Sequence, residues 1–182
     1  PGANSRVLNR IQSSAPTHIN GRIDANGNIY FVNPSGIMFG RDSVLNVGTL
    51  YAAAGSITNA DFLNNVNRFT GLDGEVVNRG QINAQRAAHL VGRRVANFGQ
   101  VVAPDGMITF TAGDDVLIGQ RGGRVFARID GSPGSNGGVE NHGVIDAGTG
   151  QVLAGVGDHF ALAIYGGSEI TGSSVRMVGG RG

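Results

Sequence analysis

The sequence predicts an all-β chain: a parallel β-helix wound in coils of about 20 residues, with short segments lying outside the coils. Three observations predict it. A Gly-centred frame recurs along the chain, apolar stretches of strand length follow each copy, and Gly and Asn stand between the stretches where the chain must bend. Glycine supplies 32 of 182 residues without a G-X-Y period while 40% of the chain is hydrophobic, so neither a collagen helix nor a disordered chain fits.

The frame reads Gly-x-Ile/Val-x-Ala, with Asn one or two positions before the Gly. Its four copies are Asn20-Gly21-Arg22-Ile23-Asp24-Ala25, Asn78-Arg79-Gly80-Gln81-Ile82-Asn83-Ala84, Asn97-Phe98-Gly99-Gln100-Val101-Val102-Ala103 and Asn141-His142-Gly143-Val144-Ile145-Asp146-Ala147. The frame glycines lie 59, 19 and 44 residues apart, which divides into three, one and two turns of a short solenoid unit. Stacking such units places Ile23, Ile82, Val101 and Ile145 in one buried column. Asn20, Asn78, Asn97 and Asn141 fall at the bends, where an amide side chain can hydrogen-bond the turn and tolerate left-handed backbone.

A second stretch follows each frame: Asn28–Val32, Ala88–Val91, Met107–Phe110 and Gln151–Ala154. A third set, including Val44–Val47, Val116–Ile118 and Phe160–Ile164, completes a coil of three strands. At this coil length the chain makes roughly nine coils, a rod of about 40 Å. A β-sandwich with antiparallel hairpins is the minor alternative. Two segments break the repeat. Residues 56–73 carry Asn59 in an N-cap position with Phe62, Val66 and Phe69 at helical spacing, which predicts a short helix or loop packed on the rod. Residues 130–138 are rich in Gly and Ser and predict a flexible loop that accounts for the long third interval.

Composition excludes much chemistry. All 14 basic residues are Arg, so no Schiff-base or P-loop lysine exists, and the absence of Cys removes disulfides, thiolates and Cys-ligated metals. Fourteen basic residues against 13 acidic ones create no field that would draw the chain onto nucleic acid, and no apolar run is long enough to span a membrane as a helix. The chain begins Pro1-Gly2 and reads as a processed or excised piece of something longer.

Three pieces in this order resemble the N-terminal secretion domain of two-partner-secretion exoproteins, the family of filamentous haemagglutinin and related adhesins and haemolysins. They are Val7-Leu8-Asn9-Arg10 followed by Ile19–Ile23; Phe31-Val32-Asn33-Pro34-Ser35-Gly36-Ile37-Met38-Phe39-Gly40; and Asn59-Ala60-Asp61-Phe62-Leu63 leading to Phe69. The middle piece is similar to the family's Asn-Pro-Asn-Gly-Ile motif, with Ser35 at its second Asn. The resemblance implies a right-handed β-helix and export across the inner membrane. It implies recognition by an outer-membrane β-barrel transporter with periplasmic POTRA domains, and a location outside a Gram-negative-type cell or on its surface. The family's first strands and cap, which would precede Ser5, are expected to be missing from residues 1–182.

Read from the residues, Asn33-Pro34-Ser35-Gly36 is a β-turn: Pro sets φ at the second position and Gly relieves the fourth. It can close a coil, serve transporter recognition, or do both. If only the turn mattered, Asp in place of Asn33 should serve equally well.

The competing class is a glycan-processing β-helix. Asp114-Asp115 and Asn141-His142-Gly143 resemble fragments of polygalacturonase motifs, but the remaining motifs are absent and Asp114-Asp115 reads as a coil turn. A glycan-binding adhesin stalk is a third reading. His18, His89, His142 and His159 lack metal-site spacing and read as surface or turn residues, and no metal or cofactor is expected. Arg93-Arg94 and Arg121, Arg124 and Arg128 read as a solvated face. The favoured reading is a non-enzymatic secretion and folding module that templates the coils following it.

Overall fold

The computed structural model of the chain describes residues 2–121, 124–131, 137–157, 164–166, 170–171 and 174–178. Its strands stack into three parallel faces. The first holds the frame: β3 (Arg22–Asp24), the first half of β6 (Val44–Ala53), the first half of β9 (Gln81–Gly92), β11 (Gln100–Val102), β16 (Val144–Asp146) and β19 (Ile170–Thr171). The second contains β1 (Arg6–Arg10), β4 (Asn28–Val32), the later halves of β6 and β9, β12 (Met107–Ala112), β17 (Gln151–Val156) and β20 (Ser174–Val178). The third contains β2 (Thr17–Ile19), β5 (Ile37–Phe39), β8 (Glu75–Asn78), β10 (Arg94–Asn97), β15 (Gly138–Asn141) and β18 (Ile164–Gly166). Successive strands on every face come from successive coils, which is a parallel β-helix.

The expected column is present with two more members, Leu45 and, by backbone register with Ile145, Ile170. Ile23, Leu45, Ile82, Val101 and Ile145 are in register, and Leu45, Ile82 and Val101 are wholly buried. Leu45 corrects the assignment of Val44–Val47 to a third set of strands: this stretch is a frame copy without the frame's Gly. The coil count changes with it. The 59-residue interval spans two coils and the 44-residue interval one, so the second face has seven rungs among the described residues and rises about 29 Å. The surplus residues lie off the three faces, which a division by a fixed period cannot detect.

The frame's Gly has a steric cause. A Cβ on Gly99 would lie 2.1 Å from the Gly80 carbonyl oxygen, and one on Gly143 would lie 2.0 Å from that of Gly99. Neighbouring bends stack backbone on backbone there, because Gln100 and Val144 donate their N–H groups to those same carbonyls. Replacing Gly99 with Ala is expected to force two coils apart and cost roughly 2–3 kcal/mol, read as a lower midpoint in urea unfolding.

The surplus residues form a second layer. It contains α1 (Asn59–Leu63), β7 (Asn67–Thr70), β13 (Asp115–Arg121) and β14 (Arg124–Asp130), the three strands making an antiparallel sheet in the order β14-β13-β7. Val116–Ile118 therefore belongs to this sheet and not to the rod. The long third interval comes from the whole β13–β14 excursion, more than from the loop at 130–138, of which 132–136 lie outside the described residues, as do Phe160–Ala163 and His159. Thr58, not Asn59, caps α1: its hydroxyl accepts from the Asp61 N–H at 3.0 Å. The helix stops at Leu63 because Asn65 turns left-handed (φ 59°), which puts Phe69 on a strand.

This layer covers the outer surface of the second face. Ile57, Phe69, Leu72, Val116 and Ile118 pack against Tyr30, Val32, Ala53 and Val91. Beneath them runs an outward column of Tyr30, Tyr51 and His89, with Tyr30 stacked on Tyr51 at 4.3 Å and Tyr51 on His89 at 4.6 Å. His89 is thus buried, contrary to the expected surface position, and its Nδ1 shares a hydrogen bond with the Thr109 hydroxyl at 2.8 Å. Burial pushes the imidazole down from 6.5 to about 3. The unfolded chain therefore takes up a proton at a higher pH than the folded chain does. Stability is full above about pH 6.5 and falls as the pH drops toward the folded value. Going from pH 7.5 to 5 should cost about 2 kcal/mol in urea unfolding, and a His89→Phe variant should lose that component of the slope.

Candidate functional site

The Asn33–Ile37 turn joins the second face to the third between β4 and β5. Its backbone is a closed β-turn, with the Gly36 N–H donating to the Asn33 carbonyl at 2.9 Å. Gly36 has φ 113°, a conformation open to glycine, and a Cβ there would also lie 3.0 Å from the Glu75 carbonyl. Ile37 is buried in the core while Pro34 and Ser35 are half-buried.

Asn33 is fully buried, and its amide is engaged on both sides. Its Oδ1 accepts from the Ser35 N–H at 3.0 Å, fixing the turn. Its Nδ2 donates to the Ala15 carbonyl at 3.1 Å and to the Thr17 hydroxyl at 2.9 Å, tying the turn to the preceding coil. The Ser35 hydroxyl reaches the same stretch, donating to the Ser13 carbonyl at 2.6 Å. On the other side, a Cβ on Gly74 would sit 2.5 Å from the Pro34 carbonyl, so the next coil is packed directly on the turn. Asn33 does more than shape the turn: its two donated hydrogen bonds require an amide, and a carboxylate cannot supply them.

Asn78, Asn97 and Asn141 form a ladder inside the rod, in register on β8, β10 and β15. Asn78 donates to Asn97 and Asn97 to Asn141, each at 2.8 Å. Each Oδ1 of Asn78 and Asn97 also accepts from the frame glycine's N–H two residues on, so the side chains satisfy the bend from within. Asn20 does not join them. It is exposed and falls beside Gly40, one position past the ladder, because its Asn-Gly spacing is shorter by one residue than in the other copies.

The enzyme-like residues do not converge. Asp115 is held by Arg68 across β13 and β7, with a closest contact of 2.5 Å, so it opens a strand of the outer sheet and is not part of a coil turn. His142 stacks on Phe98 at 5.1 Å, next to Arg79 on the other side of that ring. Arg94 is not part of a free basic stripe, since Glu75 and Glu140 flank it at 2.8 Å each, and Arg128 pairs with Asp130 at 3.1 Å. His18 is exposed. Among the described residues no group of three or more His, Asp or Glu side chains could hold a metal ion, and no helix is long and apolar enough to cross a membrane.

Sequence reasoning missed the stretch 13–17 that closes over the turn and the Tyr30–Tyr51–His89 column. Ser13, Ala15 and Thr17 act mostly through backbone groups and short hydroxyls, which leave no pattern. The column does leave one, since aromatic rings recur at equivalent second-face positions, but it becomes visible only once the coil register is known.

The TPS secretion domain family model matches residues 1–176. A heme/hemopexin-binding protein of Haemophilus influenzae is 28% identical over 159 residues, covering 81% of this chain and 18% of that protein. The crystal structure of the HMW1 secretion domain from Haemophilus influenzae superposes with a TM-score of 0.76 at 24% identity, over 96% of this chain and 44% of that one. The chain thus spans less than half the length of either relative, and the likeness to the solved structure is one of fold.

Proposed function

Because the chain belongs to the TPS secretion domain family, we propose that an outer-membrane transporter with periplasmic POTRA domains recognises it as an unfolded segment and passes it outward, where it folds and templates the coils that follow. The chain is a non-enzymatic two-partner-secretion module, and the observation that carries this is the family match over residues 1–176 on a parallel β-helix. Such a domain implies an outer-membrane transporter as partner and a secreted bacterial protein as its context. Release outside a Gram-negative-type cell or retention on its surface, and an adhesin-like whole protein whose later regions bind host or cell-surface glycans or proteins, belong to the same reading.

Asn33, Pro34, Ser35, Gly36 and Ile37 are the segment proposed to be read by the transporter. The folded turn supports this in one respect: its side chains are spent on neighbouring coils, so a partner must meet the motif before the coils close. Templating is supported by the stacking itself, since each coil hydrogen-bonds its immediate neighbours and offers a strand edge to the next. The test is secretion of the full exoprotein in cells with and without the cognate transporter. Export should require the transporter, and equal amounts in the medium without it would overturn the reading.

A further inference from the structure

Both arginines on the outward side of β1 reach the segment 56–73. Arg6 donates to the Phe62 carbonyl and lies over the Phe62 ring at 4.3 Å. Arg10 donates to the Asn59 side chain and to the Ile57 carbonyl, both at 2.8 Å. Leu8, between them, packs into the same outer cluster. The inward side of β1 contributes less, because Val7 is 54% exposed and Asn9 makes one long bond to the Tyr30 carbonyl at 3.2 Å. The backbone of this first rung pairs with β4 along Arg6–Arg10, and its arginine side chains are fastened from outside, by residues that follow it by 47 to 56 positions.

What β1 leads into is the stretch that closes over Asn33. Ile11 donates its N–H to the Val32 carbonyl, and Ser13, Ala15 and Thr17 then supply the acceptors used by Ser35 and Asn33. We infer that residues 56–73 are a latch on the first coil: Arg6 and Arg10 fasten β1 to it, and until it arrives the stretch 11–17 does not close over the Asn33 turn. A chain delivered from its N-terminus then keeps this turn open until residues 56–73 have emerged, and covers it once α1 and β7 have docked. The latch stands on the contacts alone, and its consequence for a partner rests on the recognition reading above.

Amide hydrogen exchange on the purified chain tests it, comparing wild type, the Arg6→Met/Arg10→Met double variant and the milder Asn59→Ala. The double variant should exchange at least ~10-fold faster over 6–17 and 33–37, with residues 94–112 unchanged. Asn59→Ala should show the same local pattern at smaller amplitude, and it carries the test if the double variant does not fold. Wild-type exchange over 6–17, or acceleration spread equally over 94–112, would overturn the latch. Fast local exchange together with normal secretion of an Asn33→Ala exoprotein would leave the latch standing and remove the recognition reading. Unchanged exchange with lost secretion would do the reverse.

Discussion

Val101→Asp is expected to abolish the cooperative unfolding transition of the purified chain, or to move it to a small fraction of its normal denaturant midpoint. Val101 is completely buried between Ile82 and Ile145, in a column whose members are all apolar. A carboxylate placed there finds no cation. Only the surrounding backbone could solvate it, and that backbone is already paired with the strands on either side. The cost is several kcal/mol, of the order of the entire stability of an ordinary domain. Ile82→Asp should behave alike, since Ile82 is equally buried and sits one coil away. Urea unfolding of either variant at a wild-type midpoint would contradict the stacked register.

The second large effect concerns Asn33. Asn33→Ala removes three side-chain hydrogen bonds in a buried position and leaves the Ala15 carbonyl, the Thr17 hydroxyl and the Ser35 N–H without their partner, at a cost of about 2–3 kcal/mol. Asn33→Asp keeps the acceptor for Ser35 but points a carboxylate oxygen at the Ala15 carbonyl. It should therefore be at least as destabilising as Ala, the reverse of what turn chemistry alone suggests. Stability and secretion then have to be separated by a control of matched cost elsewhere. Asn97→Ala suits this purpose, because Asn97 is equally buried and is bonded to Asn78, Gly99, Asn141 and Val144, on three coils, and touches none of the partners of Asn33. Secretion of the Asn33 variants at least ~10-fold below Asn97→Ala at comparable stability would mark Asn33–Ile37 as read by the transporter. Equal secretion of the two would reduce the motif to a structural turn. Ser35→Asn, which restores the family's residue, should secrete at or above the normal level.

The placement of α1 shows how far local signals reach. Apolar residues at helical spacing, Phe62, Val66 and Phe69, predict a short helix or loop, and the segment folds as a five-residue helix, α1, that leaves Phe69 outside it. The left-handed Asn65 and the pairing of Phe69 with Val116 decide its end, and that pairing joins segments 47 residues apart. The Asn ladder shows the same limit from the other side. Asn at each bend was visible in the sequence, but whether the side chain turns inward depends on one residue of spacing. Asn78, Asn97 and Asn141 lie two positions before the Gly and point in, whereas Asn20 lies one position before it and is left outside.

The repeating unit is legible in the residues alone: frame Gly where bends stack at van der Waals contact, Ile or Val where a column is buried, Asn where a bend needs internal partners, and so a parallel β-helix with a turn motif at Asn33–Ile37. These are properties of one coil and its immediate neighbours, and a repeat prints them on the chain several times. The number of coils, the antiparallel layer over the second face, the burial of His89 beneath it and the closure of 11–17 over Asn33 emerge only from the folded arrangement. Each depends on segments brought together once, across tens of residues, by side chains such as Arg6, Arg10 and Phe69 that repeat nowhere. A contact made a single time leaves no period in the sequence, so its partners become known only when the coils are stacked.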